Sequence, residues 1–439
     1  MNKKVSLWIV LLIVWVFLAI TLMFGWAVGY IHEGGHLISG KSKDVILAIA
    51  RFPTMVDVSI KQLTSAPPLI LKDRYPDIDG LKLNEKNYTD SNYILLSAYD
   101  KEAEHSSIRL VRLSDQKILY RWAPDINEII KIRDHNRPVS EASTKRNIVF
   151  WHPLLFPDGS IAFNTEDRSL IKINKDSKIS WSLDGKFHHS QEADSEGNIW
   201  ASSVMDKNSD YLNEFFEEYR DDALAKVSPE GKLLEKRSIT KILLDNGYRG
   251  LLFGIGPMEK DPLHLNDIQP ALTSTEYWQK GDLLVSIRNK STVFLYRPST
   301  NKILWLQTGP WLNQHDADFI DNSRIAIFGN NIVRNKNYDF IDGHNEVYVF
   351  DFKTMESETP YTKFLKDAKV KTMTGGRSEI LPNGDVFVEE TDFGRMLRGN
   401  STNTIWQFVE RIDKSSAAVL GWSRIVQPAE FKKYTFLKN

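Results

Sequence analysis

The sequence predicts an all-β protein, a six-bladed β-propeller, preceded by one N-terminal transmembrane helix and a short helical stalk. Three observations support this prediction. Residues 5–30 contain no charged side chain. From residue 91 onward, short apolar strands alternate with turns rich in Gly, Asn, Asp and Pro. These strands recur in six segments of one layout. We therefore expect a cytoplasmic tail with a membrane anchor (1–30), a stalk (31–90) and a propeller (91–439).

The bulk composition excludes several classes of protein. Of the 439 residues, 42% are hydrophobic, which is ample for a large core, and the formal net charge is −1. Nucleic-acid-binding proteins normally show a basic excess, so we expect no nucleic-acid partner. The chain has no cysteine. Disulfides, thiolate metal sites and cysteine nucleophiles are therefore excluded.

The uncharged run Val5–Tyr30 is long enough to cross a bilayer, because a helix rises about 1.5 Å per residue and the hydrocarbon layer is about 30 Å thick. Lys3 and Lys4 precede the run, and no Lys or Arg follows it until Lys41. The positive-inside rule then keeps the tail in the cytoplasm and exports the propeller. We expect a single-pass protein of the inner (cytoplasmic) membrane, anchored in the lipid bilayer through residues 5–30. Cleavage as a signal peptide near Ala27 is the alternative.

The stalk contains two predicted helices. The first begins with Ser42 as its N-cap and stops at Pro53, and the second begins near Thr54. We expect both to pack on the propeller or to rest near the membrane. Binding of a partner, such as another membrane protein, is the alternative.

Each of the six segments is typical of a small antiparallel sheet, with a turn, a strand, a second strand, a polar turn and a third strand. The first strands are "NYILLSAYD", "GSIAFNTED", "GNIWASSVM", "GDLLVSIRN", "SRIAIFGNN" and "GDVFVEETD". One such sheet cannot bury both of its faces, so neighbouring sheets must stack in a ring, which is a β-propeller. The uneven spacing of the segments also allows five or seven blades.

Each blade needs an innermost strand lining the central channel, just before the first strand of its segment. At this place the chain repeatedly carries a basic side chain: His152, His189, His264, His315 and Arg377. A single histidine at the start of a strand usually caps a turn. Equivalent positions in a closed ring, however, converge at one mouth of the channel, and we therefore predict a site there.

Clustered histidine and arginine side chains suit an oxyanion, since guanidinium offers a planar fork of N–H donors and imidazole adds others. A metal site with Asp267 or Asp316 as carboxylate ligand is the alternative, but neither HExxH nor His-x-His spacing supports it. A propeller with a quinone cofactor would carry a regularly spaced Trp motif in every blade, which this chain lacks. We expect neither a metal nor a cofactor.

Three stretches resemble the bacterial arylsulfotransferase family. "HLND…GDLLVSIRNKSTVFLYRPSTNKILW" and "QHDADFIDNSRIAIFGNNIVR" are similar to its His-x-Asn-Ser segment, its strand ending in Ser-x-Arg, its Gln-His-Asp-Ala segment and its Phe-Asp-Asn-Gly turn with a nearby Arg. "HHSQEADSEGNIW" is similar to its His-His segment before a Gly-Asn turn. The resemblance covers roughly residues 150–410.

The resemblance implies a periplasmic six-bladed propeller that transfers a sulfuryl group from an aryl sulfate to a phenol through a transiently sulfated histidine. Positioning and electrostatics would dominate the catalysis, as in phosphoryl transfer, with His315 and Arg334 stabilising charge on the transferred group. The catalytic candidates are His189, His264, His315, Arg334 and Arg377. The substrate-binding candidates from the family match are Asn266, Arg288, Asp316 and Asn330.

The family's nucleophilic histidine has no counterpart in this chain. The strand where it should fall reads "FVEETDFGRMLRGN", with Glu389, Glu390 and Arg395 but no histidine. Arginine is protonated at any ordinary pH and is not a workable nucleophile. The two glutamates alternate across a strand, so at most one faces the channel, as a general acid or base beside Arg377 or Arg395. A salt bridge between blades is the alternative, and we add all three residues of this strand to the substrate-binding candidates.

Two functions are compatible with these features. The first is a membrane-anchored sulfotransferase-like enzyme that acts on a phenolic or saccharide acceptor by direct transfer or through another histidine. The second is a propeller without transfer chemistry, which binds an anionic envelope glycan or scaffolds a membrane complex. The missing nucleophile is the feature that separates them.

Overall fold

The computed structural model describes residues 7–32, 70–72, 74–84, 88–133, 148–206, 219–254, 259–334 and 339–438, with isolated positions at 38, 42, 45–46, 49–50 and 145. The chain divides into two compact units. One comprises Met1–Ala66 and Asp134–Thr144, and the other comprises Pro67–Arg133 and Lys145–Asn439.

The main described element of the first unit is an apolar helix, Leu7–His32. By length and composition it could cross a membrane, and a signal sequence would pass the same test. Its side chains are mostly exposed, as expected of a helix that needs an apolar solvent. Of the first stalk helix predicted above, positions 42, 45–46 and 49–50 are helical, and the second lies outside the described residues.

The second unit is built of short strands. In chain order they are β1 (Ile70–Lys72), β2 (Gly80–Leu83), β3 (Tyr93–Asp100), β4 (His105–Arg112), β5 (Lys117–Trp122), β6 (Trp151–Leu155), β7 (Ile161–Asn164), β8 (Arg168–Ile173), β9 (Ile179–Ala193), β10 (Ile199–Val204), β11 (Asp222–Val227), β12 (Leu233–Ser238), β13 (Leu265–Pro270), β14 (Leu283–Ile287), β15 (Thr292–Arg297), β16 (Lys302–Thr308), β17 (Asp316–Phe319), β18 (Arg324–Gly329), β19 (Ile332–Arg334), β20 (Asp339–Ile341), β21 (Glu346–Asp351), β22 (Glu356–Glu358), β23 (Arg377–Ile380), β24 (Val386–Glu390), β25 (Arg395–Gly399), β26 (Thr404–Val409), β27 (Arg411–Asp413), β28 (Ser416–Ala418) and β29 (Arg424–Val426).

Short helices occupy some of the connections. The α-helices are Ile126–Arg133, Ile239–Asp245, Arg249–Phe253, Thr362–Asp367 and Pro428–Phe431. The 3-10 turns are Arg288–Lys290, Pro298–Thr300, Thr391–Phe393 and Thr435–Lys438. Ser238 caps the helix Ile239–Asp245 by accepting a hydrogen bond from the backbone N–H of Lys241.

The sheets are antiparallel and small, and together they form an all-β, propeller-like fold. Three of them follow the orders β13-β14-β15-β16, β17-β18-β21-β22 and β23-β24-β25-β26, the last with β2 added at its outer edge. A seven-stranded sheet runs from β6 to β12. Its long strand β9 pairs with β8 through its first part and with β10 through its last part. The hairpin β19–β20 forms a separate two-stranded sheet.

Strands from both ends of the unit complete sheets begun elsewhere. The C-terminal β29 pairs with β3, so the sheet β29-β3-β4-β5 takes its innermost strand from the end of the chain rather than from residues before β3. β2 pairs with β26, and β1 pairs with β28. Residues 70–83, which the sequence analysis assigned to the stalk, therefore contribute strands to these sheets, where they cover edges that would otherwise be unpaired.

Apolar side chains fill the spaces between the faces of neighbouring sheets. Shared buried clusters join β3–β5 to β7–β8, β7–β8 to β10–β11, β10–β11 to β13–β15, β14–β15 to β17–β18, β18–β21 to β24–β25, and β24–β26 to β3. Burying one Val, Leu, Ile or Phe side chain contributes about 1.5–3 kcal/mol. The alternating apolar pattern of the strands thus decides which faces meet, and their stacking aligns the innermost strands.

The innermost strands are also joined in series by side chains that accept hydrogen bonds from the next strand's backbone. Ser190 Oγ accepts from the N–H of Ile268 at 2.9 Å, Asp267 Oδ2 from that of Ala317 at 3.0 Å, and Asp316 Oδ2 from that of Ser378 at 2.8 Å. These links fix β9, β13, β17 and β23 in register with one another. The residues at the beginnings of the strands are held side by side as a consequence.

Candidate functional site

Three histidines in or directly before the innermost strands share a left-handed backbone. The φ angle is +54° at His152, +46° at His189 and +56° at His264. Non-glycine residues are uncommon in this region, although histidine occurs there more often than most. A register shift in the strand pairing follows close by in each case, which is typical of a β-bulge that re-aims a side chain.

In two further sheets the left-handed position falls on a different residue type. It is taken by Asn313, with φ +49°, and by Gly376, with φ +87°. His315 follows two residues after Asn313, and Arg377 follows directly after Gly376. Of the five basic residues predicted to be equivalent, three histidines share one backbone position, and His315 and Arg377 do not, because the turns before the strands differ in length.

The predicted catalytic histidines nevertheless lie together. The ring centroid of His189 is 5.0 Å from that of His264 and 6.0 Å from that of His315. A further ring, that of His188, has its centroid 5.2 Å from His189. The stacking of the sheets therefore brings imidazoles from three different sheets into one group, which we call the histidine cluster.

The neighbouring His188 orients the ring of His189. Their Nδ1 atoms are 2.9 Å apart. His188 Nε2 lies 3.2 Å from the carbonyl oxygen of Ser203 and 3.5 Å from Asp222 Oδ1. Both of these are acceptors, so His188 Nε2 carries the proton and its Nδ1 accepts from His189 Nδ1–H. His189 Nε2 is left with its lone pair free. Burial, and then the adjacent histidines, hold the pKa of His189 well below its ordinary value, so the ring is neutral.

His264 is oriented by a carboxylate. Its Nδ1 lies 2.5 Å from Asp261 Oδ2. A carboxylate accepts, so His264 Nδ1 carries the proton and Nε2 keeps its lone pair. The His264 side chain is 24% exposed, so the ring is partly open to solvent. An Asp–His pair of this kind orients the imidazole ring in catalytic sites.

Both ring nitrogens of His315 are already engaged. Nδ1 lies 2.6 Å from Asn330 Oδ1, and Nε2 accepts from the N–H of Gly375 at 3.1 Å. Asn330 Nδ2 in turn donates to the carbonyl oxygens of Thr372 and Gly375, which fixes its amide orientation and makes His315 Nδ1 the donor. Burial, and then the charge of Arg288, hold the pKa of His315 well below its ordinary value. His315 is therefore a neutral, immobilised ring.

Two arginines extend the histidine cluster, and one asparagine binds both. Asn289 Oδ1 accepts from Arg288 at 3.2 Å and from Arg334 at 2.8 Å. The backbone N–H of Arg288 donates to the carbonyl oxygen of His264 at 2.9 Å. Burial, and then the charge of Arg334, lower the pKa of Arg288 to about 10. Within the described residues, the buried Nε of Arg288 has no hydrogen-bond partner. Two like charges that meet beside an unused donor suit an oxyanion.

The remaining residues from the family match have partners inside the fold. Asn266 Nδ2 donates to the carbonyl oxygen of Gln314 at 2.9 Å. Asp316 accepts the inter-strand hydrogen bond from Ser378 described above. These two substrate-binding candidates therefore position the innermost strands and act on the histidine cluster through the backbone.

The catalytic candidate Arg377 lies among carboxylates. Its guanidinium is 3.5 Å from both Asp318 Oδ2 and Glu379 Oε2, and it donates to the carbonyl oxygen of Ser423 at 3.4 Å. Arg424 pairs with Glu192 at 2.7 Å in the same region. These groups line a cavity of about 250 Å³. Arg377 has a buried Nε without a hydrogen-bond partner among the described residues, as Arg288 does, but its two carboxylate neighbours leave it less suited to an oxyanion than Arg288.

Three carboxylates of this region could in principle hold a cation. Asp267, Asp316 and Asp318 each bring an oxygen within 4.8 Å of the other two. Each already accepts a hydrogen bond, Asp318 from Gln269 at 2.5 Å and the other two from the backbone of the next innermost strand. Burial, and then the charge of Asp318, raise the pKa of Asp267 to about 8. Their inter-strand contacts account for these carboxylates without a metal ion.

In the segment expected to carry the family's nucleophile, the three polar residues assigned to substrate binding all contact other protein groups. Glu389 accepts from the backbone N–H groups of Trp422 and Ser423, at 3.1 and 2.6 Å. Glu390 is fully buried and pairs with Arg395 and with Tyr75 Oη, the latter at 2.7 Å. Both glutamates face protein partners. Glu390 and Arg395 lie opposite each other on β24 and β25, so their salt bridge is within one sheet and is not the expected salt bridge between blades.

The sequence analysis did not assign several residues that orient the histidine cluster. They are His188, Asp222, Asp261 and Asn289. His188 and Asp261 had local signals, since one forms a His-His doublet and the other lies three residues before His264. Asp222 had no such signal, because its contact with His188 joins residues 34 positions apart in the chain.

Several solved structures have a similar chain trace. A protein of unknown function from Bacteroides caccae is 11% identical, with 77% of this chain and 100% of that chain covered and a TM-score of 0.48. The WD40 domain of Neurospora crassa Pan2 is 12% identical, with 74% and 83% covered and a TM-score of 0.38. Hydrazine synthase of Kuenenia stuttgartiensis is 9% identical, with 72% and 79% covered and a TM-score of 0.41. Likenesses at this level carry no inference about activity.

The family is shown by the sequence itself. No curated protein sequence matches this chain. The model of the family described as arylsulfotransferase (ASST) matches residues 152–411, which include the histidine cluster, both arginines and all the innermost strands from β6 to β23. This match spans more than half of the 439 residues. The chain therefore belongs to the arylsulfotransferase (ASST) family.

Proposed function

We propose that this protein is a membrane-anchored, exported arylsulfotransferase-like enzyme. It binds the sulfate group of an aryl sulfate at the histidine cluster and transfers the sulfuryl group to a phenolic or saccharide acceptor. One observation carries the proposal: in a chain of this family, imidazoles from three sheets meet beside Arg288 and Arg334, which both donate to Asn289, while Arg334 also lies 3.5 Å from Glu259.

The charges of the site support an oxyanion substrate. Arg288 and Arg334 are close enough for one to lower the pKa of the other, and an anion between them would relieve that repulsion. The nearby His189 and His315 rings are neutral and so add no further positive charge. Electrostatic stabilisation by fixed donors is the main catalytic contribution expected for transfer of such a group.

A ring of six blades is part of the proposal. The six apolar clusters between neighbouring sheets form a closed series that returns from β24–β26 to β3. Division of the seven-stranded sheet at β9 gives two blades of three or four strands each. The other four sheets that contain an innermost strand give one blade each. In such a ring, all innermost strands begin at the same mouth.

The N-terminal helix supports the proposed location. The apolar helix Leu7–His32 would hold the protein in the inner membrane as a single-pass anchor, with its short basic tail in the cytoplasm and the propeller outside it. The lipid bilayer is then a standing partner, and the substrates are anionic small molecules or glycans of the cell envelope. Another membrane protein is a further possible partner of the anchor or stalk.

A second function is favoured by one specific observation. The family's nucleophilic strand holds Glu389 and Arg395 in structural contacts, and His315 has both nitrogens engaged. A propeller with this site could bind an anionic envelope glycan, or scaffold a membrane complex, without transferring any group.

A measurement of sulfuryl-transfer turnover distinguishes the two functions. Full-length protein in detergent is incubated with a chromogenic aryl sulfate and a phenol acceptor. We expect acceptor-dependent release of the chromophore that His315→Ala abolishes and that His105→Ala, a histidine of β4 outside the cluster, leaves intact. No turnover, together with retained binding of sulfate or a sulfated glycan, contradicts the enzyme and favours the binding protein.

A further inference from the structure

We propose that Nε2 of His264 is the atom that takes up the sulfuryl group, with Asp261 as its positioning carboxylate, in place of the nucleophile that this chain lacks. The inference rests on the proposed sulfuryl transfer and adds the identity of the nucleophile. Two observations support it. The first is the set of hydrogen-bond partners of the clustered imidazoles, and the second is the set of hydrogen bonds by which Asn289 joins both arginines to Asp261.

Only an imidazole nitrogen with an accessible lone pair can attack sulfur. Both nitrogens of His315 are engaged, by Asn330 and by the backbone of Gly375. His189 and His264 each use Nδ1 in a hydrogen bond, and the Nε2 of neither has a partner among the described residues. The choice therefore lies between His189 and His264.

The partner of each Nδ1 decides between them. When Nε2 bonds to sulfur, the imidazole ring acquires positive charge. The Asp261 carboxylate, 2.5 Å from His264 Nδ1, stabilises that charge directly. His189 has the imidazole of His188 at the same place, 2.9 Å away, and the nearest carboxylate on that side, Asp222, contacts His188 and not His189. His264 is thus the better nucleophile of the two.

The oxyanion donors are connected to the same carboxylate residue. Asn289 Nδ2 donates to the carbonyl oxygen of Asp261 at 2.7 Å, while its Oδ1 accepts from Arg288 and Arg334. A single amide thereby sets the position of both guanidinium groups relative to the Asp261–His264 pair. Sulfuryl oxygens bound by the arginines would lie beside His264 Nε2, which is the geometry that an attack requires.

The reaction balances without any further cofactor. In the first step His264 Nε2 bonds to sulfur, the S–O bond to the aryl group breaks, and the aryl oxide leaves with the bonding pair. The Nδ1 proton stays between the ring and Asp261. In the second step the acceptor oxygen bonds to sulfur and the N–S bond breaks, which returns its pair to Nε2. The hydroxyl proton of the acceptor passes to the free Nε2 of His189, whose ring centroid is 5.0 Å away.

The backbone at His264 offers variants that should fold. Its φ of +56° is favourable for glycine and tolerated by asparagine, so His264→Gly and His264→Asn remove the ring without a backbone penalty. His189→Asn, at φ +46°, is the matched variant at the neighbouring ring.

The test traps the covalent intermediate. Full-length protein is mixed with an aryl sulfate in the absence of acceptor, quenched in alkali and mapped by mass spectrometry. We expect a sulfuryl adduct on the peptide containing His264, and none in His264→Asn. His264→Gly should lose at least about 100-fold in turnover, the scale of one catalytic group, and added imidazole should restore part of it. His189→Asn should still form the adduct but pass it on slowly.

The positioning role of Asp261 has its own readout. Asp261→Asn should lower kcat while leaving KM nearly unchanged, because the carboxylate acts on the transition state and does not bind the donor. An adduct on His189, or wild-type turnover by sequential kinetics with no adduct, overturns the inference and leaves the proposed function standing. Wild-type protein without turnover and without an adduct overturns the proposed function itself.

Discussion

Arg288 connects anion binding to stability, and removing its charge should have opposite effects on the two. Because burial and Arg334 lower the pKa of Arg288 to about 10, the folded protein disfavours this charge relative to the unfolded chain. A free guanidinium has a pKa above 12, so the difference corresponds to an upper limit of about 3 kcal/mol at every pH below 10. Solvent screening of the partly exposed group reduces this value to about 1–2 kcal/mol.

Arg288→Met should therefore raise the free energy of unfolding by about 1–2 kcal/mol in sulfate-free, low-salt buffer. Added sulfate should stabilise the wild type, since a ligand that binds only the folded state adds about 2.7 kcal/mol at 100 times its Kd. The variant should gain much less. The measurement is urea unfolding of the detergent-solubilised full-length protein, with and without sodium sulfate, and with sodium chloride at equal ionic strength as the reference.

Arg112→Met is the matched control, because Arg112 is an exposed arginine paired with Asp115 far along the chain from the site. It should leave both the free energy of unfolding and the sulfate response nearly unchanged, because a solvent-exposed ion pair contributes little. The reasoning is refuted if Arg288→Met destabilises the fold, or if sulfate stabilises this variant as much as the wild type.

Three further predictions concern the groups around the site. Asn330→Leu leaves the buried His315 Nδ1–H without an acceptor, so the free energy of unfolding should fall by about 1–3 kcal/mol and turnover should be lost; an unchanged urea midpoint contradicts this. Arg395→Met removes one of the two arginines that pair with the buried Glu390 and leaves Arg74, so the free energy of unfolding should fall by about 1–3 kcal/mol in the same assay without affecting turnover per folded molecule; lost turnover would instead support a substrate contact. The pKa of Asp267 is raised to about 8, so the folded state retains a proton that the unfolded state releases near pH 4, and stability should fall as pH rises from 4 to 8. Asp267→Asn should flatten that dependence, and an equally steep profile would contradict it.

The repeat and its consequence at the channel mouth were accessible from the sequence. Apolar strands separated by Gly, Asn and Asp turns predict small antiparallel sheets wherever they occur, and the sheets β13–β16 and β23–β26 begin and end close to the predicted segments. His189, His264 and His315 lie close together, as the repeat predicts, because stacking makes similar positions of successive repeats neighbours in space.

The pairing of strands that are far apart in the chain could not be predicted from the sequence. β29 pairs with β3, and β2 pairs with β26, so each contact joins segments more than 300 positions apart. Nothing in a short apolar segment specifies so distant a partner, since edge pairing is decided by which backbone groups remain unsatisfied after the other strands have formed. For the same reason residues 70–83 were assigned to the stalk.

The roles of individual residues in the site could be predicted from the sequence only in part. Strand alternation placed Glu389 and Glu390 on opposite faces, but their partners Ser423 and Tyr75 come from the two ends of the unit. The left-handed residue is the histidine itself at His152, His189 and His264, but it is Asn313, two positions before His315, in another sheet. This difference depends on the length of the turn before the strand, which leaves no periodic signal in the sequence. The hydrogen-bond partner of one ring nitrogen decides whether the other nitrogen keeps its lone pair, as Asp261 does for His264. The three-residue spacing between Asp261 and His264 predicts this contact only if the backbone turn between them is known.

The central claim is that the histidine cluster with Arg288 and Arg334 holds the sulfate group of the donor. A crystal structure of the protein with an aryl sulfonate, which mimics the donor but has no transferable S–O(aryl) bond, tests it most directly. The account predicts sulfonate oxygens within hydrogen-bond distance of Arg288 Nε and the sulfur facing His264 Nε2. A sulfonate bound beside Arg377 and Arg424 instead, or bound nowhere in the channel at saturating concentration, would contradict it.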